Sequence, residues 1–223
     1  ATWHMDECYG TTVNDSSRNS KPMTASGATW ESGIGNTRSA RARYLKFDGS
    51  TSYLSRAQDG GFDFGTGSFS VSGWFHHPST AVSGQATILA RYGTAGFKVY
   101  MNTSGYVCFG IDADSTWSPA DTACSGTGDG SLADSKWHHL EAVKNGTTSI
   151  SLYIDGHLAQ TTTVTATGSM NTSSILYLGV DSTGNSNYWA GWLDEFMIFP
   201  YARSAAQAKV DANASTAVLS GVE

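Results

Sequence analysis

Two polar loops in this chain carry the residue types that hold sugars. One is Asp112-Ala113-Asp114-Ser115-Thr116-Trp117, the other Asn185-Ser186-Asn187-Tyr188-Trp189. An aromatic ring stacks on the face of a pyranose, while Asp and Asn side chains bond its hydroxyls, so both kinds of group must share one exposed surface. Trp117, Asp112, Asp114, Asn185, Asn187 and Tyr188 are therefore the candidate ligand contacts. Trp117 has two readings: a ring held out for a ligand, or a ring packed over the loop between Cys108 and Cys124. Trp74 and Trp137 read as core or near-core rings.

The residues offer less to catalysis. Asp194 and Glu195 are adjacent, so on an ideal strand they point to opposite faces and cannot flank one glycosidic bond. There is no Gly-x-Ser-x-Gly elbow for a serine nucleophile. His138 and His139 also point apart on a strand and lack a Cys or His partner at metal-ligand spacing. One is expected to be buried and hydrogen-bonded, the other exposed.

The elements that position these groups are strands. The chain has 223 residues with 25 Gly, 4 Pro and only 14% charged side chains, a profile of short strands joined by tight turns. In residues 137–158, Ile150, Leu152 and Ile154 alternate with Ser149, Ser151 and Tyr153, giving one apolar and one wet face. Asn145-Gly146 and Asp155-Gly156 supply turns with positive φ. Phe69, Val71 and Gly73 likewise alternate with Ser68, Ser70, Ser72 and Trp74. Further strands are expected at Tyr44–Asp48, Tyr53-Leu54, Ala86–Arg91, Gly96–Asn102, Tyr106–Ile111, Ile175–Val180 and Gly191–Phe199. Residues 115–131 read as a long polar loop with room for a short strand. Recurrence of strands at this pitch indicates an all-β antiparallel sandwich or jelly roll. One helix is expected after Ser204, where Ser204-Ala205-Ala206-Gln207 is a capping box.

Net charge is −6 with no basic stripe, which argues against nucleic acid as a partner. No apolar run reaches 18 residues, so direct membrane insertion is not expected. The first residues, Ala1–His4, carry no signal peptide. Low Lys content and abundant Ser, Thr and Asn fit an exported, extracellular or cell-surface protein, where a Cys108–Cys124 bridge would persist. Cys8 is left over, either as a small buried hydrophobe or as a bridge to a part outside this chain.

Six segments, in order, resemble the laminin-G-like jelly roll of the concanavalin A-like lectin/glucanase superfamily. They are Met5-Asp6-Glu7 with Gly10–Val13 and Asp15–Asn19; Leu45–Gly49 with Tyr53-Leu54; Phe69–Phe75; Trp137–Leu140 with Leu152–Gly156; Leu176–Gly179 with Tyr188–Phe196; and Tyr201–Ser204 leading into the helix. The resemblance implies a single domain over residues 1–223, with a core at 3–209 and a tail at 210–223. It implies two curved sheets face to face, with sites on rim loops or on the concave sheet. Trp189 and Trp192 fall at family positions that mostly pack. Glycosidases of the superfamily carry a Glu-x-Asp-x-x-Glu strand, and none of Glu7, Glu31, Glu141, Glu195 or Glu223 lies in one, so no enzyme is expected. A structural Ca²⁺ is implied near Asp15, Asp194 and a carbonyl at Asn19, with Asp48 as a further candidate; alternatively these Asp residues only make Asx turns. The expected function is an exported, non-catalytic module that binds a glycan, a polysaccharide or another cell-surface polymer. The alternative is a structural or protein-interaction domain displayed on a pilus or surface assembly.

Overall fold

The computed structural model describes residues 1–33, 42–114, 116–119, 121–181 and 187–213. In chain order the first strands are Thr2–Trp3 (β1), Thr12–Val13 (β2), Met23–Ser26 (β3), Thr29–Gly33 (β4), Ala42–Asp48 (β5) and Tyr53–Arg56 (β6). Next come Phe69–His76 (β7), Ala86–Tyr92 (β8), Gly96–Met101 (β9), Val107–Asp112 (β10) and Asp121–Cys124 (β11). The last are Trp137–Asn145 (β12), Ser149–Ile154 (β13), His157–Thr163 (β14), Leu176–Leu178 (β15) and Ala190–Phe199 (β16), followed by helix α1, Ala205–Asn213.

They form two antiparallel sheets. Sheet A runs β14-β13-β12-β7-β16-β5-β4, with β1 also paired to β16. Sheet B runs β11-β10-β9-β8-β15-β6-β3-β2. The inner faces share one core: Phe69 of sheet A lies 4.5 Å from Phe97 and 6.1 Å from Phe109 of sheet B, ring centre to ring centre. Leu45, Phe47, Val71, Phe75, Leu140, Ala142, Leu193 and Ile198 complete sheet A's side of that core. This is the jelly-roll sandwich expected from the alternating segments.

The Asp155-Gly156 turn takes positive φ at both residues (50° and 76°), as a two-residue hairpin requires, and links β13 to β14. Strand β16 contains a bulge: Asp194 is opposite Trp74 while Met197 is opposite Ser72. The inserted residue, Glu195, sits at φ 53°. Because of it, Leu193 and Phe196, three apart, both face the core. Phe196 reaches into space left by Gly73, where a Cβ would stand 2.7 Å from its ring.

The polar 115–131 loop does hold a short strand, β11, bonded to β10 in a register that places Cys108 opposite Cys124. The two cysteines form a disulfide. The buried carboxylate of Asp121 accepts bonds from Thr165 N, Thr165 Oγ1 and Ala166 N at 2.6–2.9 Å, tying this edge to the chain after β14. The capping box forms as expected: Gln207 N donates to Ser204 Oγ (3.3 Å) and Ser204 N to Gln207 Oε1 (2.9 Å). Helix α1 extends to Asn213, past the tail boundary expected at residue 210. Cys8 is exposed, which removes the reading of a buried hydrophobe; its positive φ of 75° holds it at a turn in the N-terminal segment.

Candidate functional site

The loop at 112–117 uses its polar groups on itself. Asp112 accepts Asp114 N (3.2 Å) and Ser118 N (3.0 Å), and Asp114 accepts Thr116 N (2.8 Å). Asp112 is also buried. These Asx turns fold the loop back so that half-buried Trp117 lies on the outer face of sheet B. Its ring stands 4.8 Å from Tyr92 and 6.5 Å from Tyr100, with Lys98 Nζ 4.2 Å from its centre. Gly110 makes the seat: a Cβ there would be 3.2 Å from the indole. Of the two readings for Trp117, packing is the one its surroundings fit.

The second loop meets the first through a buried ion pair. Lys98 Nζ is 2.8 Å from Asp181 Oδ2, and Asn187 Nδ2 donates to the same oxygen at 3.4 Å. Burial, together with Asp112, Asp114 and Asp181, pushes the Tyr92 hydroxyl up to about 12. Tyr188 is half-buried, and Asn185 lies outside the described residues. Asp112, Asp114, Trp117 and Asn187 are thus brought to one face, where Asp112 is buried, Trp117 and Asn187 are half-buried and Asp114 is exposed.

The calcium candidates lie in separate turns and strands. Asp15 accepts Thr2 N, Ser17 N, Ser17 Oγ and Lys21 N at 2.8–2.9 Å. Burial raises its pKa, but these four bonds outweigh that and bring it down to about 2. Asp48 accepts the backbone N–H groups of Ser50, Thr51 and Ser52 and both hydroxyls of Thr51 and Ser52. Asn19 is exposed and bonds Ser17 Oγ, while Asp194 is buried in sheet A beside the bulge. Among the described residues no three His, Cys, Asp or Glu side chains cluster as a metal site. Asp15 and Asp48 form Asx-type turns, the alternative stated for them.

The open aromatic surface lies elsewhere, on the outer face of sheet A. Since Val71, Gly73 and Phe75 face inward, Trp74 and His76 face outward; by the same alternation so do Trp137 and His139 of β12 and Trp192 of β16. Trp74, Trp137 and Trp192 are half-buried, as are His76 and Tyr44. Of the core or near-core reading of Trp74 and Trp137, the core part does not hold: both rings are half-buried on the outer face. The rings touch in sequence: Tyr44 to Trp137 at 5.4 Å, Trp137 to His76 at 5.6 Å and His76 to Trp192 at 4.6 Å. Trp74 sits edge-on to His139 at 5.1 Å. Glu31 of β4 accepts Trp192 Nε1 (2.8 Å) and pairs with Lys46 Nζ (3.0 Å); these contacts hold its carboxyl below the usual range against burial.

The other end of this face is covered. Ser70 Oγ donates to Tyr201 O and accepts Arg203 N, both at 2.9 Å. Arg203 Nε pairs with buried Glu141 at 2.9 Å, and its other end pairs with Asp211 of α1. Burial pushes the Glu141 carboxyl up to about 7 despite Arg203, and among the described residues its Oε2 has no hydrogen-bond partner. His139, also buried, bonds Ser72 Oγ through Nε2 (3.0 Å), and desolvation brings it down to about 4. His138 is the less buried of the pair and is held by Asp134 and Asp155 at 3.1 and 2.8 Å. Trp189 is a fully buried core ring, as the resemblance implied.

A family model of the laminin G type, described as the concanavalin A-like lectin/glucanase superfamily, matches residues 48–209. Among solved structures, the chain is similar to the binding domain of paraclostridial mosquitocidal protein 1, with a TM-score of 0.78 and 14% identity over 96% of this chain and 51% of that one. It is also similar to the botulinum neurotoxin DC binding domain in complex with rat synaptotagmin II (TM-score 0.71, 14% identity, 96% and 51% covered). A third is a structure of botulinum neurotoxin type C, whose cell entry depends on two ganglioside molecules (TM-score 0.71, 14% identity, 96% and 51% covered). The chain spans about half the length of these structures, and at such identities the likeness concerns the fold. A search of curated proteins finds no match. Among the described residues no helix is long and apolar enough to cross a membrane. By its sequence match and its two-sheet architecture, the chain belongs to the concanavalin A-like lectin/glucanase superfamily.

Proposed function

We propose that this chain is a non-catalytic binding module of an exported protein, and that it recognises glycans through the aromatic end of sheet A. The observation that carries this is the half-buried run of Tyr44, Trp137, His76 and Trp192, with Trp74 beside it, bordered by the Glu31–Lys46 pair. Rings of this kind supply flat apolar area, and Trp N–H and carboxylate groups supply directional polar contacts. The disulfide fits an oxidising compartment. Two solved neighbours are described as binding domains, one of them in complex with synaptotagmin II, and a third is a neurotoxin whose cell entry depends on gangliosides, which supports a binding role over a catalytic one.

A glycan array probed with the wild-type chain, Trp137→Ala and Trp192→Ala tests the reading. Both rings lie outside the core, so the variants should stay folded by near-UV circular dichroism. Truncating a ring that anchors a ligand costs about 2 kcal/mol or more, near a thirtyfold loss of affinity. Unchanged binding by both variants, or no bound glycan, would overturn the proposal. Pull-down of a surface or pilus protein through the same rings, without any glycan, would favour the protein-interaction alternative.

A further inference from the structure

We infer that the ligand of this face is an uncharged, extended saccharide chain that crosses the strands and is gripped along its length, an inference that rests on the glycan reading above. The register sets the direction. Trp137 of β12 is opposite His76 of β7, His76 is opposite Trp192 of β16, and Trp192 is opposite Lys46 of β5. The four make one row perpendicular to the strands. Each step along that row is a strand spacing of roughly 5 Å, close to the advance per residue of an extended pyranose chain. Trp137 and Trp192 flank β7 and so stand two steps apart, the interval at which alternate sugars of such a chain recur.

The strand direction offers no such track. A chain laid along β7 would pass from His76 and Trp74 to Ser72 and Ser70, both buried, and Ser70 lies beneath the backbone of Tyr201 and Arg203. A ligand running that way meets a wall after two residues. Across the strands, ring-to-ring contacts run from Trp137 through His76 to Trp192. Nothing in that row resembles the enclosed pocket that recognition of a chain end requires.

Charge separates neutral from acidic sugars. Among the described residues, the cations on this face are already paired: Lys46 with Glu31 at 3.0 Å, and Arg203 with Glu141 and Asp211. Lys136, next to Trp137, is paired with Asp134 at 2.6 Å. Asp194 is opposite Trp74, inside the aromatic end. A uronate, sulfate or sialate would have to displace one of these pairs or face the carboxylates, whereas a neutral ring loses nothing.

Titration calorimetry with ladders of one to six residues tests this. The ladders are the neutral gluco-, manno-, galacto-, xylo- and N-acetylgluco- series, with oligogalacturonates and sialyllactose as acidic probes. At least one neutral ladder should gain tenfold or more in affinity between one and four residues, with weak dependence on salt. Trp137→Ala and Trp192→Ala should each flatten that gain rather than lower all lengths equally. A monosaccharide that binds as tightly as its hexamer, or an acidic probe that binds more tightly than every neutral ladder, overturns the inference and leaves the glycan reading standing. No binding by any saccharide removes both.

Discussion

Replacing Cys108 and Cys124 together by alanine should destabilise the fold by a predictable amount. The bridge joins residues 16 apart and lies between two strands already in hydrogen-bonded register. Its removal leaves the native pairing of β10 with β11 in place, and Asp121 still ties β11 to the chain after β14. The effect should therefore fall on the unfolded chain, which regains the freedom of a loop of that length. Chain-entropy reasoning puts this at about 3 kcal/mol. For a chain of this size each kcal/mol moves the melting temperature by about 2–4 °C, so the double variant should melt about 6–12 °C lower. Thermal unfolding followed by circular dichroism measures it, and thiol titration in denaturant checks the starting state: the wild type should show Cys8 alone. A loss under about 1 kcal/mol would refute the entropic account. Three titratable thiols in protein exported through an oxidising compartment would refute the bridge itself.

Three further outcomes follow from particular contacts. Gly73→Ala should lower stability by about 1–3 kcal/mol, because the added methyl meets the Phe196 ring at 2.7 Å in a packed core; an unchanged urea midpoint would mean the bulge yields freely. EDTA should leave the melting temperature where it is, since Asp15 and Asp48 are saturated by their own turns; a fall of several degrees that Ca²⁺ restores would re-establish a metal site, because a ligand specific to the native state must stabilise it. Glu141 is an acid whose folded pKa, about 7, lies above its unfolded value of 4.5. Its contribution to stability therefore grows as pH falls from 7 toward 4.5 and is lost above 7. Between pH 8 and 5.5 that is about 2 kcal/mol, absent in Glu141→Gln; parallel pH profiles for the two proteins would contradict the burial argument.

The parts of this molecule legible in its sequence are those fixed by neighbours along the chain. The β12–β14 hairpins follow from alternation and from an Asp-Gly turn that needs positive φ. The Ser204 capping box is a local bond pattern and forms as written. The 16-residue separation of Cys108 and Cys124 was enough to suggest their pairing. The carboxylates of Asp112, Asp114, Asp15 and Asp48 show the same local logic. Each lies two to four residues before backbone N–H groups it can reach, and these local bonds form.

The aromatic face went unread for a different reason. Large rings suggest a core, but which face a ring takes depends on strand parity, and parity was visible at Trp74, which alternates with Ser70 and Ser72 rather than with Phe69 and Val71. At Trp192 even parity misleads. Counted from Phe196 as a core residue, an unbroken strand would put Trp192 inside; the extra residue at Glu195 reverses this and turns the indole outward, opposite His76. No glycine announces the bulge, so the sequence alone gives no cue to it. The row Trp137–His76–Trp192–Lys46 then exists only through pairing between residues up to 146 apart along the chain, Lys46 and Trp192. The bulge puts Leu193 and Phe196 in the core together and leaves Trp192 half-buried on the outer face. There Trp192 stands across His76 from Trp137 and is held by Glu31, so the row that the proposed function uses depends on this one inserted residue.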